Sequence, residues 1–226
     1  EWTTAALPAR APYSTFTPAS TAPPPPGRET QPIPLCDLGP GSRFTTWTAP
    51  EPLEPVLRAW STAVAQVASP ARVSAPNQRV IPADRTKRAD SADAHVQWID
   101  VTDGDGTGSV DLTVGRTTLD PVAAADDEAF AEGNCAPPRR LVRSDGTVLQ
   151  VYSVRPSEPF RSLALVLCLY TPKGDAYKLT VANYGSPDFT FRGDDHSFER
   201  TGAGRGTLPL TEEQLTRIGV AVADAG

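Results

Sequence analysis

From Glu1 to about Pro40 the chain shows no hydrophobic period, and ten prolines interrupt it, including the run Pro23-Pro24-Pro25-Pro26. Each proline fixes φ and lacks an N–H donor, so neither a helix interior nor a central strand is expected there. Residues 1–40 read as an extended stalk or linker, or as a strap lying on the domain, ahead of a single globular domain over 41–226. The first periodic signal follows: Val56, Trp60, Ala63, Val64 and Val67 fall at i, i+4, i+7, i+8 and i+11, one apolar stripe of an α-helix that Pro70 ends. Residues 69–88 are polar and punctuated by proline, with a short strand expected over 79–81.

Period two takes over further along. Ala94 to Val101 and Ser109 to Arg116 read as a hairpin whose glycine-rich tip is 102–108. His95, Gln97 and Ile99 alternate with Val96 and Trp98, and Val110, Leu112 and Val114 with Asp111 and Thr113, so one face meets a core and the other meets water. Trp60 and Trp98 are both placed on core faces. Thr118 to Phe130, with Asp120 ahead of Pro121 and the acidic run Asp126-Asp127-Glu128, predicts a short helix or a loop containing one. Thr147–Val154, Ser162–Thr171 and Tyr177–Asn183 predict an antiparallel meander, with Thr171-Pro172-Lys173-Gly174-Asp175 as one turn. Leu163 to Tyr170 is apolar on both faces, as in a strand covered from both sides. Residues 187–208 read as an exposed loop or an edge hairpin. A last helix begins at Thr211, with Gln214 completing a capping box, Leu210 and Leu215 placed as a staple, and Leu215, Ile218 and Val222 on one face. The expected fold is α+β: an antiparallel sheet of about five strands packed against two helices, with an extended proline-rich N-terminal segment.

Charge and composition narrow the function classes. The formal net charge is −6 and the Lys and Arg residues are scattered, so there is no basic stripe and nucleic acid is not an expected partner. No apolar run approaches the ~20 residues that span a bilayer, so a membrane anchor is expected upstream of Glu1. The absence of methionine fits a chain that has lost a leader or continues a longer protein. Abundant Ala, Pro, Arg, Gly and Thr with few Lys suggest a GC-rich, actinobacterial genome. Cys36, Cys135 and Cys168 permit one disulfide, Cys135 with Cys168 or with Cys36, and an oxidising compartment favours it. The unpaired thiol, Cys168 if it stays inside its apolar strand, is then a small buried hydrophobe. Ile33-Pro34-Leu35 lacks the small residue that lipidation of Cys36 would want.

Ser144-Asp145-Gly146-Thr147 ahead of a strand, Tyr170-Thr171-Pro172-Lys173-Gly174 as a turn, Pro209-Leu210-Thr211-Glu212-Glu213-Gln214-Leu215 at the close and the proline-rich lead together carry one resemblance. They are similar to the extracytoplasmic portions of actinobacterial membrane-anchored or secreted proteins, a group of mostly uncharacterised function. The resemblance implies an extracytoplasmic location and supplies no catalytic residue. Some members of that group carry anti-sigma-factor or signalling segments inside the cell.

Candidate chemistry is sparse. Asp103-Gly104-Asp105-Gly106-Thr107-Gly108-Ser109, with Asp111 beyond, offers alternate oxygen ligands as a calcium loop does, but Val114 stands where the bidentate Glu belongs. Asp and Gly are also what a plain hairpin turn selects. Asp194-Asp195-His196-Ser197 gathers the raw materials of a hydrolase without any Gly-x-Ser-x-Gly elbow. The second histidine, His95, lies on a strand at no recognisable ligand spacing. P-loop, dinucleotide and zinc-protease signatures are all missing. Trp2 and Trp47 are left as surface anchors. The first functional expectation is therefore a non-enzymatic binding or sensory module that recognises a protein or cell-envelope component through loops 102–109 and 186–207, with Asp103, Asp105 and Trp47 as binding residues. Two others stand beside it: a secreted hydrolase or transferase centred on His196, and a structural envelope subunit strapped on by its stalk.

Overall fold

The computed structural model describes residues 1–7, 14–16, 33–35, 54–81, 94–132, 135–157, 162–192 and 197–226. Strands β1 (Thr3–Thr4), β2 (Ser14–Phe16) and β3 (Ile33–Leu35) precede helix α1 (Glu54–Ala68). Then come β4 (Arg72–Val73), β5 (Asn77–Ile81), β6 (Ala94–Asp103), β7 (Gly106–Arg116) and helix α2 (Pro121–Glu132). The last part holds β8 (Arg139–Val142), β9 (Val148–Val151), β10 (Arg155–Ser157), β11 (Ser162–Tyr170), β12 (Asp175–Ala182), β13 (Phe189–Arg192), β14 (Ser197–Arg200) and helix α3 (Glu212–Ala225).

Ten strands make one sheet in the order β1-β8-β9-β11-β12-β7-β6-β4, with β10 beside β11 and β5 beside β6, and β2–β3 and β13–β14 form separate ribbons. Its strand pairings among the described residues are antiparallel. The α+β class is as expected, but among the described residues the sheet is larger and there are three helices rather than two. The additional strands are two to four residues long, too short to show a period of two. Among the described residues no helix is long and apolar enough to cross a membrane.

The first face of the sheet carries α1 and α3. Val56, Trp60, Ala63 and Val64 of α1 are buried against Leu215, Ile218 and Val222 of α3 and against Ile99, Leu112, Leu167, Leu169 and Leu179 of the sheet. Thr211 caps α3 as its spacing predicts: its hydroxyl accepts from Gln214 N at 3.3 Å while Gln214 Oε1 accepts from Thr211 N at 2.8 Å. Gln214 Nε2 then donates to Val67 O at 2.6 Å, tying the two helices together.

The second face is different in kind. On it Arg140, Gln150, Cys168, Lys178 and Thr113 occupy one rung from β8 through β9, β11 and β12 to β7. Helix α2 covers the β8–β11 half of that rung. Asp120 caps it, accepting from Val122 N and Ala123 N at 3.1 Å each, with Pro121 in the first turn. Its buried contribution among the described side chains is Ala124, Ala125, Glu128 and Ala129, packed on Val148, Tyr152, Val166, Cys168 and Tyr170. Polar bonds fasten it: Gln150 Nε2 donates to Ala125 O at 2.8 Å, Arg140 pairs with Asp126 at 2.7 Å, and Glu132 pairs with Lys178 and, at 3.7 Å, with Arg155.

Trp98 corrects one expectation. It lies on this second face, across from Asp111, and is half-buried rather than in the core between sheet and α1. Residues 1–7 lie along the domain as a strap rather than a free stalk. Thr3 and Thr4 pair with Arg140 and Arg139, Ala5 N donates to Pro138 O at 2.8 Å, and the Arg139 guanidinium lies 5.9 Å from the Trp2 ring centre. Trp2 packs against the main core rather than standing free as an anchor.

Candidate functional site

The hairpin of β6 and β7 closes in two residues, Gly104 and Asp105, because pairing continues to Asp103 and Gly106. Asp103 Oδ1 accepts from Asp105 N at 2.9 Å, and Gly106 takes φ +122°. Thr102 and Thr107 join their hydroxyls at 3.0 Å just below the turn. The tip expected over 102–108 is thus mostly ladder.

A residue from the far end of the chain is fastened to this tip. Arg205 lies in a loop whose preceding Gly204 has φ +72°, where an added Cβ would stand 2.2 Å from Asn183 O. Only glycine meets both requirements. Arg205 N donates to Asn183 O at 2.8 Å, Asn183 Nδ2 donates to Arg205 O at 2.7 Å, and Asn183 Oδ1 accepts from Leu163 N at 2.8 Å. Backbone and Asn183 together aim the Arg205 side chain, only 4% exposed, at Asp103 Oδ2 at 2.9 Å and Asp105 Oδ2 at 3.5 Å. The hydrogen bond from Arg205, followed by that from Asp105 N, holds the Asp103 carboxyl below the usual Asp range.

More bonds join the same two segments. Ser186 N donates to Asp100 Oδ1 at 3.0 Å, and Trp98 Nε1 donates to Ser186 Oγ at 2.9 Å. Asp188 accepts from Gly185 N at 3.0 Å and Gly204 N at 2.9 Å, bracing the loop from within. The Arg200 guanidinium sits 3.7 Å over the Tyr184 ring and donates to Gly202 O and Ala203 O at 3.1 and 3.0 Å. Phe189 meets Tyr184 edge-on at 5.8 Å. Around this frame Gly104, Asp105, Ser186, Pro187, Thr201, Gly206 and Thr207 are exposed.

The sequence-predicted residues fare unequally. Asp103 and Asp105 are brought together, on Arg205. Asp111 is not with them: it lies five residues along β7 from Gly106, about 17 Å at strand rise, and on the opposite face of the sheet. The two tip carboxylates face a fixed guanidinium, and among the described residues no group of three or more His, Cys, Asp or Glu could hold a metal ion. Trp47, Asp194, Asp195 and His196 lie outside the described residues, as does the side chain of His95. Cys168 is a free, buried thiol, so its pairing with Cys135 is corrected: it points from the middle of β11 under α2. Cys135, at φ 64°, is disulfide-bonded, and Cys36 lies outside the described residues.

The displaced ionisations run away from neutrality. Burial pushes the Cys168 thiol and the Tyr152, Tyr170 and Tyr184 phenols up. Burial would lower Lys178, but the charge of Glu132 beside it prevails and its ammonium is held above the usual value. Asp145 is lowered by the hydrogen bond from Thr147 N. None of these groups is thereby tuned to give and take a proton near pH 7.

Sequence reasoning missed Arg205, Asn183, Asp188 and Asp100. A signal was present for the first: a single arginine set among glycines in Gly202-Ala203-Gly204-Arg205-Gly206, where tight backbone and one long cation coincide. Comparisons with protein families, curated proteins and solved structures find no match.

Proposed function

We propose that the chain is a non-enzymatic binding or sensory domain acting outside the cytoplasm, membrane-anchored or secreted, and that it recognises a protein or cell-envelope component through loops 102–109 and 186–207, whose described residues meet at Arg205. The observation that carries this reading is the buried Arg205 guanidinium bridging Asp103 and Asp105. Two loops distant in sequence are thereby held as one preformed surface, which lowers the ordering cost of recognition. Asp105, 79% exposed at its side chain, and the hydroxyls of Ser186, Thr201 and Thr207 are the groups it offers to a partner. The displaced ionisations described above favour binding over turnover. The disulfide at Cys135 favours an oxidising compartment, and Cys36 is its partner in this proposal.

The test is site-specific photo-crosslinking of the full chain in native cells, with the probe at 104, at 207 or at Thr62 on α1. The expected result is one and the same adduct from 104 and 207, none from 62, and loss of both in an Arg205→Met background. Adducts that arise equally from 62, or none from any position, would overturn recognition at this end.

A further inference from the structure

We infer that the half of the second face beyond α2 carries a glycan-binding site centred on Trp98. Four residues make one rung there: Asn77 of β5, Trp98 of β6, Asp111 of β7 and Thr180 of β12 are successive cross-strand neighbours and share that face. Helix α2 packs on the β8–β11 half, and this rung lies outside its buried cluster. Asn77 is exposed, and Trp98, Asp111 and Thr180 keep part of their surface in solvent. Neighbouring strands stand about 4.8 Å apart, so an indole lies between an amide and a carboxylate, each one strand away.

That composition suits a sugar better than a protein. A pyranose offers an apolar C–H face to an aromatic ring and a rim of hydroxyls to donors and acceptors. The Trp98 indole N–H is already spent on Ser186 Oγ at 2.9 Å, and Ser186 N donates to Asp100 Oδ1 at 3.0 Å. The ring is thereby fixed in orientation before any ligand arrives, which lowers the cost of binding. A protein partner would want an apolar anchor surface. The large apolar side chains exposed among the described residues are instead Val122 on α2, Val142 on β8 and Val154 just past β9. Asp100 and Asp111 disfavour an anionic chain, so the ligand class is a neutral glycan. The inference rests on the reading above, sharing Ser186 with the joined end, and names its envelope component.

The experiment titrates the full chain with cellohexaose, maltohexaose and N-acetylchitohexaose by calorimetry. It is repeated on Trp98→Leu, Trp98→Phe, Asn77→Ala and Arg205→Met, each checked for folding by circular dichroism. Binding of at least one probe is expected. Trp98→Leu should weaken it on the order of tenfold, and Trp98→Phe less, because a ring remains. Asn77→Ala, at an exposed position, should weaken it about fivefold. Binding that is lost in Arg205→Met but indifferent to Trp98→Leu and Asn77→Ala would overturn the Trp98 site while leaving recognition at the joined end. Failure of all three probes would overturn the glycan class, and crosslinking from 104 and 207 then decides the broader reading separately.

Discussion

Helices α1 and α3 lie on one face of the sheet and α2 on the other, and the two layers differ in how many polar contacts accompany their apolar cores. Leu215, Ile218 and Val222 alone are wholly buried beneath α3, and at ~1.5–3 kcal/mol per side chain they supply about 5–9 kcal/mol as an upper estimate. Under α2 the described side chains of the helix add three alanine methyls to a buried cluster of Val148, Tyr152, Val166, Cys168, Tyr170 and Ala176. Ion pairs and Gln150 add polar fastenings to that cluster. The Arg205 end belongs with the α2 side in this respect: its two segments are joined chiefly by charge and hydrogen bonds. Both helix layers thus have an apolar core, and the polar fastenings gather on the α2 side and at the Arg205 end.

That contrast can be broken first on the apolar side. Leu215→Ala should cost about 2–5 kcal/mol, read as a fall in the denaturant midpoint; a loss below ~1 kcal/mol would mean that the α1–α3 layer is not the main source of stability. Next comes the polar layer. Gln150→Ala removes a wholly buried amide that serves Arg140, Tyr152 and Ala125 O, and should cost about 1–3 kcal/mol in the same measurement. A smaller change is expected for Arg205→Met, about 1 kcal/mol globally, because Asp103 and Asp105 are exposed enough to rehydrate. Its effect should appear instead in local protection of the hairpin tip. The smallest effect concerns acid. The Asp103 carboxyl is held below its ordinary range, so its contribution is complete above the unfolded value near ~3.9 and is lost as pH falls through the lower folded value. Amide exchange at 103–107, corrected for its intrinsic pH dependence, should therefore speed up only below about pH 4.

Those same forces decided what could be read in the sequence. The long periodic elements α1, α3, β6, β7, β11 and β12 were legible because each places several apolar residues at one spacing. Trp98 was assigned to the wrong face, although it shares parity with Asp100 and Thr102 on β6 and sits across from Asp111, a polar neighbourhood that marks its face. The strand β8, Arg139-Arg140-Leu141-Val142, shows no alternation, and β1 is two threonines; both exist through pairing with partners the local sequence does not name. Helix α2 was readable from Asp120-Pro121, but its attachment by Asp126 and Glu132 was not, since acidic residues on a helix usually signify a wet face. Arg205 was the hardest to read. Its partners lie 102 and 100 residues away, and a charged residue in a glycine-rich loop is ordinarily solvated. The loops 102–109 and 186–207 were nonetheless singled out, and the structure joins them.

The most direct test of that junction is hydrogen exchange by mass spectrometry on the full chain, wild type against Arg205→Met. The account predicts that protection falls in 103–107 and in 183–186 together, while β11 and β12 keep theirs. Unchanged protection in both segments, or loss spread evenly over the sheet, would contradict the claim that Arg205 fastens two loops into one recognition surface.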